Sequence, residues 1–66
     1  MQLTVNGKPF RSVERLSVEA LVHRLTEARR GVAVAVNGTV VPRSSWAEVP
    51  LAEGDAVEVL TAAQGG

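Results

Sequence analysis

The apolar positions change period four times along the chain, and each change marks an element. Met1, Leu3 and Val5 alternate with Gln2 and Thr4, the period of a half-buried strand. Asn6-Gly7 follows, a strong hairpin signal because a type I′ turn needs positive φ at both central positions. Pro9 cannot donate to a ladder, so the return strand is expected after it, at Phe10-Arg11-Ser12-Val13. The period then becomes helical: Val18, Leu21, Val22, Leu25 and Ala28 fall on one face and predict a helix over about 18–29. Ser17 reads as its N-cap, Glu19 suits the dipole in the first turn, and Leu16 and Leu21 form a hydrophobic staple. The capping box is incomplete, with Ala20 where Glu or Gln would complete it. Arg29-Arg30 places positive charge at the expected last turn, and Gly31 is a ready terminator.

Val32-Ala33-Val34-Ala35-Val36 is apolar on both faces, as an interior strand would be. A second Asn-Gly turn, Asn37-Gly38, returns it through Thr39-Val40-Val41, and Pro42 confines that partner to a sheet edge or ends it. Residues 43–50 have no clear period, and Ser44 or Ser45 can cap one helical turn containing Trp46. Gly54-Asp55 turns the chain into a last strand at 56–60, where Val57 and Val59 share one face and Glu58 and Leu60 the other. The order hairpin, helix, hairpin, crossover, strand predicts an α+β fold: a mixed sheet of four or five strands with one main helix packed across it. The expected organisation is one domain over 1–62 and a flexible tail over 63–66.

Sixty-six residues allow one small domain, which buries only about 60% of its unfolded surface. With no cysteine and a lone His23, neither a disulfide nor a metal staples it, and the 45% hydrophobic content must supply the core. Seven basic and seven acidic side chains cancel, which argues against nucleic-acid binding, where affinity comes largely from phosphate neutralisation. The missing cysteine excludes a catalytic thiol, no apolar run approaches the ~20 residues of a membrane span, and Met1-Gln2-Leu3-Thr4 is unlike a signal peptide. The expected location is cytoplasmic.

The candidate chemistry lies in Thr61-Ala62-Ala63-Gln64-Gly65-Gly66. No side chain there can act as acid, base, nucleophile or metal ligand, so the reactive group is the α-carboxylate of Gly66. A di-glycine end brings no Cβ to obstruct a close-fitting channel. Two readings stand: a covalent attachment point used by other enzymes, or a frayed terminus. At average glycine usage, two terminal glycines arise by chance in roughly 1 chain in 200, which favours the first. Leu60 is either an exposed docking position or an ordinary surface leucine. Trp46 closes the core or anchors an interface, with packing the favoured reading. His23 has no ligand cluster in register, and zinc would want three or four ligands, so it reads as a surface residue.

This order, closed by Gly65-Gly66, resembles the β-grasp fold of ubiquitin and the small prokaryotic sulfur carriers. Three segments narrow it: Val34-Ala35-Val36-Asn37-Gly38, then Val40-Val41-Pro42-Arg43-Ser44-Ser45-Trp46, then Gly54-Asp55-Ala56-Val57-Glu58-Val59 with the tail. Together they are similar to the sulfur carriers of thiamine thiazole biosynthesis, and the Val-Pro-Arg-Ser-x-Trp run is the discriminating piece. The related molybdopterin carriers share the di-glycine end and are usually longer without that run. The resemblance implies that an E1-like partner uses ATP to adenylate Gly66, that the adenylate becomes a thiocarboxylate, and that thiazole synthase receives the sulfur. A persulfide, such as that of a cysteine desulfurase, is the implied donor. Gly65, Gln64 and Ala63 would thread into partner active sites, with Leu60 and Ala62 at the docking surface. Ala63 is smaller than the aliphatic residue often found there. By this reading the chain is a protein co-substrate that binds no cofactor of its own.

Other classes remain open. A molybdopterin-pathway carrier or a ubiquitin-like protein modifier shares the activation chemistry and differs in the final acceptor. An RNA-binding β-grasp module is disfavoured by zero net charge and by strands without stacking aromatics. An enzyme is disfavoured because no constellation of acid, base and nucleophile appears.

Overall fold

The computed structural model describes residues 1–28 and 30–62; Arg29 and the tail residues Ala63, Gln64, Gly65 and Gly66 lie outside it. The elements are β1 (Gln2–Val5), β2 (Lys8–Arg11), α1 (Val18–Leu25), β3 (Val32–Val36), β4 (Thr39–Val41), a 3₁₀ helix (Arg43–Glu48) and β5 (Ala56–Thr61). The strands form one mixed five-stranded sheet in the order β2-β1-β5-β3-β4, with α1 on one face. Both hairpins turn on two residues with positive φ, Asn6 (52°) with Gly7 (80°) and Asn37 (52°) with Gly38 (86°), the backbone that a type I′ turn requires.

The return strand differs from the expectation after Pro9. It starts at Lys8, and Pro9 lies inside it, opposite Thr4. The register explains why. Val5 and Lys8 flank a two-residue turn and form the hydrogen-bonded pair, so the next pair, Thr4 with Pro9, needs no N–H across the ladder. β2 is also an edge strand, where proline is tolerated. Val13, expected at the end of this strand, is 98% exposed beyond it.

The helix begins as the pattern predicts. Ser17 is extended at the N-cap, and its Oγ accepts from the Ala20 N–H at 3.1 Å. Leu16 and Leu21 are both buried, as a staple requires. Val18 N–H donates to Val49 O and Leu51 N–H to Leu16 O, both at 2.9 Å, which ties the helix entry to the crossover before β5. The helix ends earlier than 29, at Leu25. Thr26 is extended there, its own N–H still reaching Val22 O, while its Oγ1 accepts from the Ala28 N–H at 3.0 Å. This local side-chain bond offers the backbone an alternative to another helical turn. Leu25 is 39% exposed and Ala28 is exposed outside the helix, so neither belongs to the buried face predicted for them. With the helix ending at Leu25, Arg24 supplies the positive charge of the last turn expected from Arg29-Arg30.

The core joins Leu16, Val18, Leu21 and Val22 to Leu3, Val5, Val34, Val57 and Val59 of the sheet, with Trp46 and Leu51 closing one side. The 3₁₀ helix is capped by Pro42, whose carbonyl accepts from Ser45 N–H at 2.9 Å; the cap expected from Ser44 or Ser45 side chains is not made. Leu21 is fully enclosed and Leu25 is not, so the two leucines separate in energy. Leu21→Ala is expected to destabilise by about 2–5 kcal/mol through transfer and cavity terms. Leu25→Ala is expected to cost less than about 1 kcal/mol, like other half-exposed surface changes. Urea unfolding of both variants checks this, and equal costs would contradict the packing described.

Candidate functional site

β5 leads to the candidate attachment point, and it is the middle strand of the sheet. On one side it runs parallel to β1, with Thr4 opposite Ala56 and Val5 opposite Val57. On the other it runs antiparallel to β3 from Val57 opposite Val36 to Thr61 opposite Val32. The β1 ladder ought to stop at Val5, because the chain turns away at Asn6-Gly7. The side chain of Asn6 prolongs it. Asn6 N–H donates to Val57 O at 2.9 Å; its Nδ2 then donates to Val59 O at 3.1 Å, and its Oδ1 accepts from Val59 N–H at 2.8 Å. The carboxamide thus replaces the peptide that a further strand residue would have offered.

Asn37, in the other hairpin, acts at the start of β5. Its N–H donates to Ala56 O at 2.7 Å, its Oδ1 accepts from Ala56 N–H at 3.0 Å, and its Nδ2 donates to Asp55 Oδ1 at 3.0 Å. Asp55 Oδ2 accepts from Ala52 N–H at 2.8 Å, which fixes the turn that delivers the chain into β5. Sequence reasoning used both asparagines only as turn residues. Their reach to a strand about 20 or 50 positions away is set by the topology, and no local signal encodes it.

Val57 and Val59 face the core, as the alternation predicts, and Leu60 is 69% exposed on the opposite face. The register sets Leu60 beside Ala33, Glu58 beside Ala35, and Ala35 beside Val40, which is 72% exposed. Two large apolar side chains thus stand on an open face with small alanines between them. Ala62 is exposed just past β5, its N–H donating to Gly31 O at 2.6 Å. Gly31, expected to terminate the helix, instead precedes β3 with φ of 69°. Of the attachment and threading residues, Gly66, Gly65, Gln64 and Ala63 lie outside the described residues.

Trp46 is buried at 4% exposure, its Nε1 donating to Val41 O at 3.0 Å and the Arg43 guanidinium lying 5.3 Å over its ring. It therefore packs, and the Arg-Ser-Ser-Trp run shapes the crossover. His23 is exposed on a groove of about 560 Å³ with Glu19, Glu27 and Arg43, a mixed-charge lining that contains no β5 residue. Among the described residues no three His, Cys, Asp or Glu side chains gather as metal ligands would. Among the described residues no helix is long and apolar enough to cross a membrane. What the described residues offer is a supported strand end beside an exposed sheet face that carries Leu60, Val40 and Glu58.

That arrangement, a helix across a mixed sheet with a central last strand leading to a small-residue end, defines a ubiquitin-like β-grasp protein. The chain belongs to the ThiS family, whose model matches residues 3–66. It is 40% identical to the thiamine biosynthesis protein ThiS of Geobacter metallireducens, whose crystal structure superposes with a TM-score of 0.82 over the whole of both chains. The sulfur carrier protein ThiS of Escherichia coli is 29% identical over the full length of both. A thiazole synthase of Paramagnetospirillum magneticum is 38% identical over all 66 residues of this chain, which spans only 20% of that protein.

If the Asn6 carboxamide holds β5, its removal must cost stability without breaking the turn. Asn6→Gly keeps the positive φ and deletes only the side chain. The expected loss is about 1–3 kcal/mol, because the Val59 N–H and C=O forfeit their partner in a half-buried place. Chemical denaturation measures it, and a change near zero would show that the bonds contribute nothing.

Proposed function

We propose that this chain is the sulfur carrier of thiamine thiazole biosynthesis and that the Gly66 α-carboxylate is its working group. In the first step a carboxylate oxygen attacks the α-phosphorus of ATP on an E1-like partner, and pyrophosphate leaves. A carboxylate resists nucleophiles, whereas its mixed anhydride with AMP carries a good leaving group. The terminal sulfur of a persulfide, such as that of a cysteine desulfurase, then attacks the acyl carbon and AMP departs with the electron pair. A thiol next takes the donor's remaining sulfur as a disulfide and leaves the thiocarboxylate on Gly66. This soft anion is the nucleophile delivered to thiazole synthase, where it forms a thioester with the acceptor. Attack of water on the acyl carbon leaves the sulfur on the acceptor and restores the Gly66 carboxylate.

One observation carries the reading: the ThiS family match over residues 3–66 includes Gly65-Gly66, which begin four residues beyond a strand braced on both edges. In this reading Leu60, exposed at the end of β5, docks the partner, and the described residues assemble no acid, base and nucleophile of their own. The chain therefore acts as co-substrate, with ATP bound by the adenylating partner. Gly65, Gln64 and Ala63 give the reach that a buried partner site needs. Thiazole synthase as acceptor is supported by the relative of that name, in which a segment like this chain shares one polypeptide with a much longer remainder. Such a linkage raises the effective concentration of one module at the other.

The test is intact mass after incubation with ATP, the adenylating enzyme and hydrosulfide. Replacement of one oxygen by sulfur is expected. Deleting Gly66, or appending a residue after it, abolishes the change if the terminal carboxylate is the site. A mass that never changes in the unmodified chain contradicts the proposal. Leu60 has a separate expectation, since it contributes little to the core. Leu60→Ala should leave the melting temperature nearly unchanged and weaken binding to the adenylating enzyme at least about fivefold, roughly 1 kcal/mol. A calorimetric titration showing unchanged affinity would remove Leu60 from the docking surface.

A further inference from the structure

Among the described residues, the end of β5 meets a glycine just past its ladder. Thr61 pairs with Val32, and one residue further Ala62 donates its N–H to the carbonyl of Gly31 at 2.6 Å. A Cβ built on Gly31 would stand 2.9 Å from the Cβ of Ala62, well inside the separation at which carbon atoms rest. Neither atom is the end of a flexible side chain, so a substitution at 31 must displace backbone. Gly31 also has φ of 69°, a region ordinary side chains resist, but that demand is independent of Ala62. Two requirements thus meet at one residue: positive φ for the local turn, and a missing Cβ for the passage of Ala62.

We propose that Gly31 is a positioning residue for the carboxylate end, its bare Cα and its carbonyl fixing where the chain leaves the sheet at Ala62, four residues before Gly66. The inference rests on the carrier reading and deepens it. Docking by the open face of the sheet sets where the domain sits on a partner, and the Gly31–Ala62 contact sets the point from which the last residues start. An error there is carried to the reacting carboxylate, where displacements of about 1 Å can cost as much as 100-fold in rate. Gly31 acts through Ala62.

The two requirements at Gly31 separate in a double-mutant cycle. Gly31→Asn retains a residue tolerant of positive φ but adds the Cβ. Gly31→Ala adds the Cβ and the strain together. Each is made in the native chain and with Ala62→Gly, which removes the opposing Cβ, and all are assayed by ATP–pyrophosphate exchange with the adenylating enzyme. Gly31→Asn is expected to lower the turnover rate about 10-fold in the native background and less than about 2-fold beside glycine at 62, with the dissociation constant steady within about 2-fold. An equal loss in both backgrounds, no loss in either, or a loss confined to binding overturns the proposal. Amide hydrogen exchange at residue 62 gives a reading that needs no partner. Exchange should speed up in Gly31→Asn and slow again in the double variant, and unchanged exchange also overturns the proposal. If the unsubstituted chain supports no pyrophosphate exchange, the carrier reading fails, and the amide measurement still decides whether Gly31 fixes Ala62.

Discussion

The structure depends on how its last strand is held. β5 enters the sheet between two strands formed long before it in sequence, parallel to one and antiparallel to the other. Its core-facing Val57 and Val59 meet the helix side of the sheet, and without them the buried face has no centre. Backbone ladders alone leave both ends of the strand short of partners, because β1 turns away at Asn6 and β3 turns away at Asn37. The two turn residues supply the deficit with their own carboxamides. Each net hydrogen bond is worth only about 1 kcal/mol, but an unpaired group at the half-buried Asn6 contacts would cost more, whereas those of Asn37 are exposed. In a 66-residue domain without disulfide or metal, those few bonds are a large part of the margin.

Rigidity of that strand has a functional meaning. A carrier must present one small reactive group to successive partner sites, and the accuracy of presentation cannot exceed that of its support. Here the strand is paired through Thr61, Ala62 donates its N–H to Gly31 O, and Leu60 and Val40 stand exposed on the face that also carries Glu58. Alanines at 33 and 35 keep that face low between the two larger side chains. His23 lies in the last turn of α1, and Arg24 pairs with Glu14 at 2.7 Å on the surface.

Much of this was legible in the residues. Strand alternation, two Asn-Gly turns and a capped helical stripe suffice for the fold, since each is a local rule with a local cause. The errors are equally local. Pro9 predicts a return strand that starts after it, yet its place in the hairpin register leaves no hydrogen bond to break. Leu25 and Ala28 continued the helical stripe, but Thr26 ended the helix before they could face the core. Gly31 looked like a helix terminator because positive φ is all that a sequence can suggest about a glycine; its role against Ala62 exists only once β5 lies beside β3. The di-glycine end was the clearest functional signal, and the packed Trp46 shows that the discriminating Arg-Ser-Ser-Trp run is tied to the fold.

The central claim is that sulfur passes through this chain and the chain is recovered. The most direct measurement is a single-turnover experiment with the carrier loaded at Gly66 with heavy-isotope sulfur, mixed with thiazole synthase and its other substrates. Intact mass of the carrier and isotope content of the thiazole product are followed together. The account predicts that the carrier returns to its original carboxylate mass as the heavy sulfur appears in the product, mole for mole. Stable conjugates of the chain on protein lysines, or release of sulfur only to a molybdopterin precursor, would contradict it.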